Sequence, residues 1–574
     1  MKASDYIAEF LHAQRVDHVF EVVGGMITHL VDSLHRLPAV RVISVHHEQA
    51  AAFAAEAAGR MTGIPGVAMA TSGPGATNLL TGIGSCYFDS VPAVFITGQV
   101  NRSEQKGDRA IRQLGFQETD IVAMATTITK AAWRVTSAED LPVLLARAFA
   151  LATSGRPGPV LLDVPMDVQR LDVTADPNLS VSDGPVESVA DSNAVEQLFD
   201  AAGRAERPLI LGGGGIRSAQ AAGLFREFVD QFGAPVVHSL MGMDVLPYTH
   251  PLRVGLIGSY GNRWANLAIG RCDFLLVIGS RLDVRQTGAE TDAFRSGRAI
   301  YHVDCEAGEM NNRVTGCHTI LSHLRPFLNE ALRSRDGPPA RDRSAWLSEI
   351  SALRREWPDT QELAGVPGIN PNELMHQISR VSGNAVAYVA DVGQHQMWAA
   401  QSLELGADQR FLTSGGMGAM GFGLPAAVGA AVASPGRSVV LIAGDGGFQL
   451  NLQELQTIVR NRLPVKLVIL NNGCHGMVRQ FQQSYFSERY PSTYWGYSAP
   501  EFRRVAQAYG IDACAIGKPE DIDRGLRELW NDPSVPFLAE VAIDTFTNAY
   551  PKIAFGHPIT AMEPFVKPLD MEGT

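Results

Sequence analysis

Short runs of β-branched and aliphatic residues alternate along the chain with Ala- and Leu-rich stretches, and they fall into three blocks. PGVAMAT and PAVFITG lie in the first, RPLILGG, DFLLVIGS and AIYHVD in the second, and AVAYVAD, SVVLIAGD and VKLVILNN in the third. Runs this apolar predict strands covered on both faces, and the stretches between them predict crossover helices. The expected fold class is therefore α/β, with a doubly wound parallel sheet in each of three domains. Residues 174–191 and roughly 334–371 carry no apolar period apart from a short helical run around 346–357, so domain edges belong there. The expected domains are 1–175, 190–335 and 368–548, followed by a tail, 549–574. The first and third blocks are alike: an Ala/Gly-rich helix leads into a strand, a glycine-bearing turn (TSGPGATN or GDGG) and another helix.

Composition narrows the class. The chain has 574 residues, 45% apolar and 19% charged, with a net charge of -12, which excludes disordered and fibrous proteins and carries no nucleic-acid footprint. Six scattered cysteines without a CxxC pair fit a reducing compartment. The start, MKASDYIAEFLHAQRV, reads as an amphipathic helix rather than a signal peptide. The apolar stretch 419–435 is interrupted by Gly421, Gly423, Pro425 and Gly429 and falls short of a membrane span of about 20 residues. The expectation is a cytoplasmic protein without membrane or nucleic-acid partners.

The strongest local signal is Gly444-Asp445-Gly446-Gly447 after one strand, followed by Asn471-Asn472-Gly473 after the next. Glycines after a strand let backbone N–H groups close on an anion at a helix start. A carboxylate there can share a hard cation such as Mg²⁺ with that anion. Each piece alone also reads as an ordinary turn. Glu48 opens the run EQAAAFAAEAAG; such a Glu is ordinarily a solvated first-turn residue, but the run is too apolar for a solvated face, so a buried edge is expected.

GDG followed by NN resembles the diphosphate-binding motif of the thiamine diphosphate (ThDP) enzymes. The segments HEQAAAFAAEAAGRMTG, TSGPGATNL, DSVPAVFITGQV, GFQETDIV, SGRPGPVLLDVP, DVGQHQMWAAQ, SGGMGAMGFGLPAA and GDGGFQLNLQEL, in this order, resemble the acetohydroxyacid (acetolactate) synthase branch. The resemblance implies that Asp445, Asn472 and the main-chain carbonyl of Cys474 hold Mg²⁺. It implies that Val392, Gly393, Gln394, His395, Gly418, Gly446, Gly447, His475, Gly476 and Met477 line ThDP, with Gly73 and Asn78 on the other side. Met420 falls on the apolar wedge between the two cofactor rings; read without the resemblance it is a core filler. Glu48 falls on the acid that hydrogen-bonds the pyrimidine and drives removal of the C2 proton, and a carboxyl group in an apolar site has a raised pKa suited to sharing a proton. Family members enclose each cofactor between domains of two subunits, so a homodimer or homotetramer with interfacial sites is implied.

In the middle block, GSRLDVRQTG resembles the flavin-contacting segment of the same branch, which implies FAD held by Gly213, Gly214, Gly258, Arg281, Asp283, Arg285 and Asp304. Ser259-Tyr260 replaces the usual Met-His pair, and a late Asp near the adenine has no counterpart in HTILSHL. Phe116, Gln117 and Lys130 fall on active-site positions, and Arg285 on the arginine that grips a second keto acid. These imply a carboligase that decarboxylates pyruvate to hydroxyethyl-ThDP and passes the two-carbon unit to a ketone or keto-acid acceptor. Phe481 stands in place of a Trp, the connection NRSEQKGDRAIRQLGFQET is longer than usual, and Val22-Val23 replaces a Tyr-Pro. With these changes the chain looks most like the yersiniose-type branched-sugar carboligases, whose acceptor is a nucleotide-linked 4-keto sugar. An anabolic acetolactate synthase, a pyruvate oxidase and a cyclic-diketone hydrolase stay open beside that reading.

Overall fold

A computed structural model describes residues 1–181, 188–333 and 342–571; parts of both expected linkers, 182–187 and 334–341, and the last three residues of the tail lie outside them. Each block folds into a six-stranded, all-parallel sheet with helices on both faces. The first holds β1 (His18–Val22), β2 (Arg41–Ser44), β3 (Gly66–Ala70), β4 (Ala93–Gln99), β5 (Ala131–Arg134) and β6 (Pro159–Pro165), in the order β2-β1-β3-β4-β6-β5. The third holds β13 (Ala387–Ala390), β14 (Arg410–Leu412), β15 (Val439–Gly444), β16 (Val465–Asn471), β17 (Asp512–Ile516) and β18 (Phe537–Ala542), in the order β14-β13-β15-β16-β18-β17. Strand for strand these orders are the same, so the likeness seen in sequence is a likeness of topology.

The central sheet differs. Its strands β7 (Pro208–Gly212), β8 (Val236–His238), β9 (Arg253–Leu256), β10 (Phe274–Ile278), β11 (Ala299–Asp304) and β12 (His318–Leu321) run β12-β11-β10-β7-β8-β9. That is the dinucleotide-binding order, whose reversal between β7 and β10 opens a crevice at the strands' carboxyl ends.

One apolar core joins the first and third domains. At its centre the helix Glu48–Thr62 lies against the helix Gly423–Val432, both rich in Ala and buried along most of their length. The approach is so close that a Cβ on Gly429 would stand 2.1 Å from the Ala54 carbonyl oxygen. An exposed Gly→Ala change in a helix normally stabilises by about 1 kcal/mol; here overpacking against backbone reverses the sign. Gly429→Ala is expected to destabilise by roughly 1–3 kcal/mol, measured as a lowered denaturant midpoint.

The helix Ser344–Glu356 falls within the second expected linker and packs on the central sheet, its Trp346 indole donating to the Pro208 carbonyl at 3.0 Å. Beyond β18, a short hairpin pairs Lys552–Ile553 with Met562–Glu563 and lies against the central domain, where the Ile553 amide donates to the Ser259 carbonyl at 2.9 Å. Among the described residues no helix is long and apolar enough to cross a membrane.

Candidate active site and nucleotide cleft

Glu48 begins the helix Glu48–Thr62, and the His47 imidazole caps that helix by accepting from the Gln49 amide at 3.0 Å. The helix body is buried, but Glu48 itself is only half-buried, because its carboxylate leaves the core and turns to the loop after β3. There it accepts from Asn78 Nδ2 at 2.9 Å, and a Cβ on Gly75 would come within 3.2 Å of Glu48 Oε1. Gln117, in the left-handed region at φ 64°, closes over Gly73, whose own φ is 67°. Glu48, Asn78, Gly73 and Gln117 thus lie together around the turn after β3. Phe116 beside them is 79% exposed, an unusual position for a large apolar ring and one suited to a ligand or a second chain.

The second half of the site lies at the carboxyl ends of β13, β15 and β16. Asp445 starts the helix Asp445–Leu450, buried, with the Tyr497 hydroxyl donating to it at 2.8 Å. Burial pushes its carboxyl up to about 6, so the carboxylate lacks a compensating charge. Asn472 accepts from the Cys474 amide at 3.2 Å, and the chain turns so that the Cys474 carbonyl comes round the same bend. Among the described residues no group of three or more His, Cys, Asp or Glu side chains is arranged to hold a metal ion. One carboxylate, one amide and one carbonyl make a sparse oxygen set, which suits Mg²⁺ completed by phosphate and water better than an all-protein cage.

Close-approach glycines surround these ligands. A Cβ on Gly446 would meet the His475 ring at 2.7 Å, one on Gly444 the His395 ring at 2.8 Å, and one on Gly476 would lie 1.9 Å from Gln394 Oε1. His395 is buried, its Nε2 has no partner within the protein, and burial pushes its pKa down to about 3. An unpartnered ring nitrogen in a glycine cradle beside a buried carboxylate fits an anionic ligand held with a cation. Val392, Gly393 and Met477 are half-buried around it. Met420 is 36% exposed, on a loop in which Gly418 and Gly421 have φ of 63° and 83°.

The central crevice is real. A cavity of about 190 Å³ continues into a second of about 610 Å³, both reaching Asp89, Gly155, Gly214 and Met241. Together they have the size of a cofactor site, roughly 300–1,000 Å³. Gly214, Arg281, Asp283, Arg285 and Asp304 line it.

Four of the expected site residues are otherwise engaged within the chain. Gly213 and Gly258 do not line the cleft: a Cβ there would stand 2.1 Å from the Gly279 carbonyl and 2.2 Å from the Arg285 carbonyl, so both serve close backbone packing behind the wall. Lys130 donates to the carbonyls of Leu151 and Ser154, 2.6 Å each, at the end of the helix Asp140–Thr153. Its ammonium group satisfies two orphan carbonyls of a helix end. Gln394 is buried with its side-chain amide satisfied by Gln480, Thr547 and Asn472, so the side chain holds Asn472 in place.

Residues missed by sequence reasoning complete the walls. Phe88, Asp89, Gly415 and Gly416 bring the first and third domains into the central cleft, and Tyr497 orients Asp445; Asp89, Gly415 and Gly416 lie in family-like segments, but nothing local singles them out. Outside the cavity linings the Phe481 ring packs tilted against Tyr485 with centroids 4.8 Å apart, and Tyr485 meets Phe555 of the tail edge-on at 6.3 Å. The tail's Ile553 bonds Ser259, and the Ser259 amide donates to the Arg285 carbonyl at 2.6 Å. Tyr260 feels the charges of Arg285 and Glu563, and burial pushes its phenol up. Phe481, Tyr260 and Arg285, distant in sequence, therefore converge under the tail.

Comparison with known proteins agrees with this geometry. Residues 1–124 match the N-terminal TPP binding domain of thiamine pyrophosphate enzymes, 195–331 their central domain and 391–541 their C-terminal TPP binding domain. The chain is 37% identical over 560 residues to the acetolactate synthase isozyme 2 large subunit of Escherichia coli K12, covering 97% of this chain and 98% of that one. It is 35% identical over 555 residues to the acetolactate synthase large subunit of Lactococcus lactis, covering 96% and 94%. It is 37% identical over 569 residues to the chloroplastic acetolactate synthase 2 of Nicotiana tabacum, covering 97% and 84%.

Proposed function

The chain belongs to the acetolactate synthase large-subunit family of ThDP-dependent enzymes, and from that membership we propose that it decarboxylates pyruvate and transfers the two-carbon unit to a ketone acceptor. The observation that carries the acceptor assignment is the convergence of Phe481, Tyr485 and Phe555 with Tyr260 and Arg285. Aromatic faces with Arg285 and Lys552 beside them suit a ring-bearing ketone without a carboxylate, including a nucleotide-linked 4-keto sugar, whose phosphate charge the cations can meet. Acetolactate formation is the second reading, favoured by the relatives and by an exposed Arg285 at the cleft.

In this reading ThDP, when bound, supplies the electron sink for decarboxylation. Asp445, Asn472 and the Cys474 carbonyl hold Mg²⁺; the Gly444–Gly447 turn and His395 hold the diphosphate; Met420 orients the rings. Glu48, fixed by Asn78, moves a proton at the pyrimidine nitrogen. Gln117 and Phe116 close the pocket from the side of the first domain. Two chains associate so that the first domain of each meets the third of the other. Gly214, Arg281, Asp283, Arg285 and Asp304 would hold FAD in the central crevice, and carboligation, which neither gains nor loses electrons, would ask no net redox chemistry of it.

Purified protein is expected to be yellow, with pyruvate turnover that consumes no oxygen; a colourless, fully active preparation removes FAD, and stoichiometric peroxide replaces carboligation with an oxidase. The acceptor test follows CO₂ and ligated product from pyruvate with and without neutral ketones. Arg285 is a fixed bidentate donor for carboxylates. Arg285→Ala, compared at equal flavin content, is therefore expected to lower acetolactate formation more than ketone ligation. Efficient acetolactate synthesis with every neutral ketone ignored would establish the second reading instead.

A further inference from the structure

The loop 413–421, which carries Met420, is held from the first domain by a buried charge cluster that the proposed chemistry does not use. Glu56, Arg60 and Asp89 have side chains 0%, 8% and 2% exposed. The Arg60 guanidinium donates to Glu56, to Asp89 Oδ2 at 2.7 Å and to the Thr413 carbonyl at 2.8 Å. Asp89 in turn accepts from the amide of Gly415 at 2.9 Å and that of Gly416 at 2.7 Å. Ser85 meets Ser414 at 3.3 Å, and Ser414 receives the Ala419 amide at 3.2 Å.

Burying two carboxylates with one guanidinium is costly, and apolar packing would join two domains at least as well. What such a cluster offers over apolar packing is directed, charge-assisted hydrogen bonds, shorter and about twice as strong as neutral ones. All those that reach the loop land on its main chain, at Thr413, Gly415 and Gly416. The loop has little room to shift there: a Cβ on Gly415 would lie 2.4 Å from the Met241 sulfur, and one on Gly416 would lie 2.7 Å from the Phe88 Cβ. Its other end is fixed by the Gly421 amide donating to Asp391 at 3.1 Å, and by Asn451 Nδ2, which donates to the Gly421 carbonyl and to Gln49. Between the two anchors Met417 and Met420 stand exposed.

We propose that Asp89 and Arg60 are positioning residues that fix the main chain of Thr413–Gly416 and thereby the height of Met420 against the bound cofactor. The role at the cofactor rests on the ThDP reading above; the role on the loop does not. Asp89 and the Gly415-Gly416 pair also line the central cleft, so the loop is the partition between the two cofactor sites.

The test compares Asp89→Asn with Glu56→Gln. The first turns one acceptor oxygen into a donor facing an N–H; the second alters the same cluster at a carboxylate that never touches the loop. In Asp89→Asn, backbone amide exchange across 413–421 is expected to rise, and C2 H/D exchange of Mg²⁺- and ThDP-saturated protein to slow roughly ten- to a hundredfold, the loss of one or two charged hydrogen bonds. kcat falls in parallel while KM for pyruvate stays within about twofold. Glu56→Gln changes the melting temperature and leaves both exchange rates as in the wild type. Wild-type exchange in Asp89→Asn overturns the proposal, and so does an equal slowing in Glu56→Gln that tracks the loss of stability. If wild-type protein fails to speed C2 exchange over free ThDP, the cofactor reading fails, and the amide exchange still decides whether Asp89 positions the loop.

Discussion

Glu48→Gln is expected to fold and bind ThDP like the wild type but to lose C2 protons roughly 10²–10⁴ times more slowly, the usual worth of a positioned acid–base group. The substitution preserves shape, and the Asn78 amide that now donates to Glu48 Oε2 at 2.9 Å can meet the Gln carbonyl oxygen. What it removes is the ability to take and return a proton. The half-buried setting matters, because the carboxylate is open to a ligand on one side and held by Asn78 on the other. NMR of C2 H/D exchange at saturating ThDP and Mg²⁺ measures the effect without turnover. Exchange at the wild-type rate would remove Glu48 from the mechanism.

Asp445→Ala is expected to abolish Mg²⁺-dependent ThDP binding, the second large effect. Asp445 is the sole carboxylate of the proposed metal set, buried and raised to about 6 by desolvation, and its removal leaves a divalent cation facing a diphosphate with too few protein oxygens. Breaking a buried charge pair costs roughly 3–5 kcal/mol, about a hundredfold or more in Kd. Calorimetric titration of ThDP with and without Mg²⁺ reads it, and unchanged affinity would contradict the site.

The two variants together also test the assembly. If each cofactor is enclosed by the first domain of one chain and the third of another, co-expressed Glu48→Gln and Asp445→Ala chains form mixed dimers with one intact site, and about a quarter of the wild-type activity returns. If both halves come from one chain, none returns.

The parallel sheets were legible in the sequence because they rest on local physics, whereas the expected cofactor residues came mainly from family resemblance. Strands covered on both faces must be apolar throughout, as in SVVLIAG, and a turn crowded by side chains must have glycine where a Cβ would collide, as at Gly444, Gly446 and Gly476. The repeated strand–turn–helix pattern announced that the first and third domains share a topology, which their strand orders bear out. Glu48 and Asp445 stand at helix starts, where residue type and context speak together.

Tertiary structure alone decided which residues of like chemistry do different work. Lys130 and Arg285 are both basic residues near the expected site, yet one meets a helix end and the other stays open to the cleft. Gly213 and Gly214 are neighbours in a run of four glycines, yet only the second lines the cavity, because the first is pressed against Gly279. Asp89, Arg60 and Gly415 are separated by long stretches of chain and acquire a joint meaning only when two domains pack. Local sequence specifies what a backbone segment becomes, since that depends on sterics within a few residues. Which side chains share a hydrogen bond depends on where separate segments meet in space, and only the folded chain fixes that.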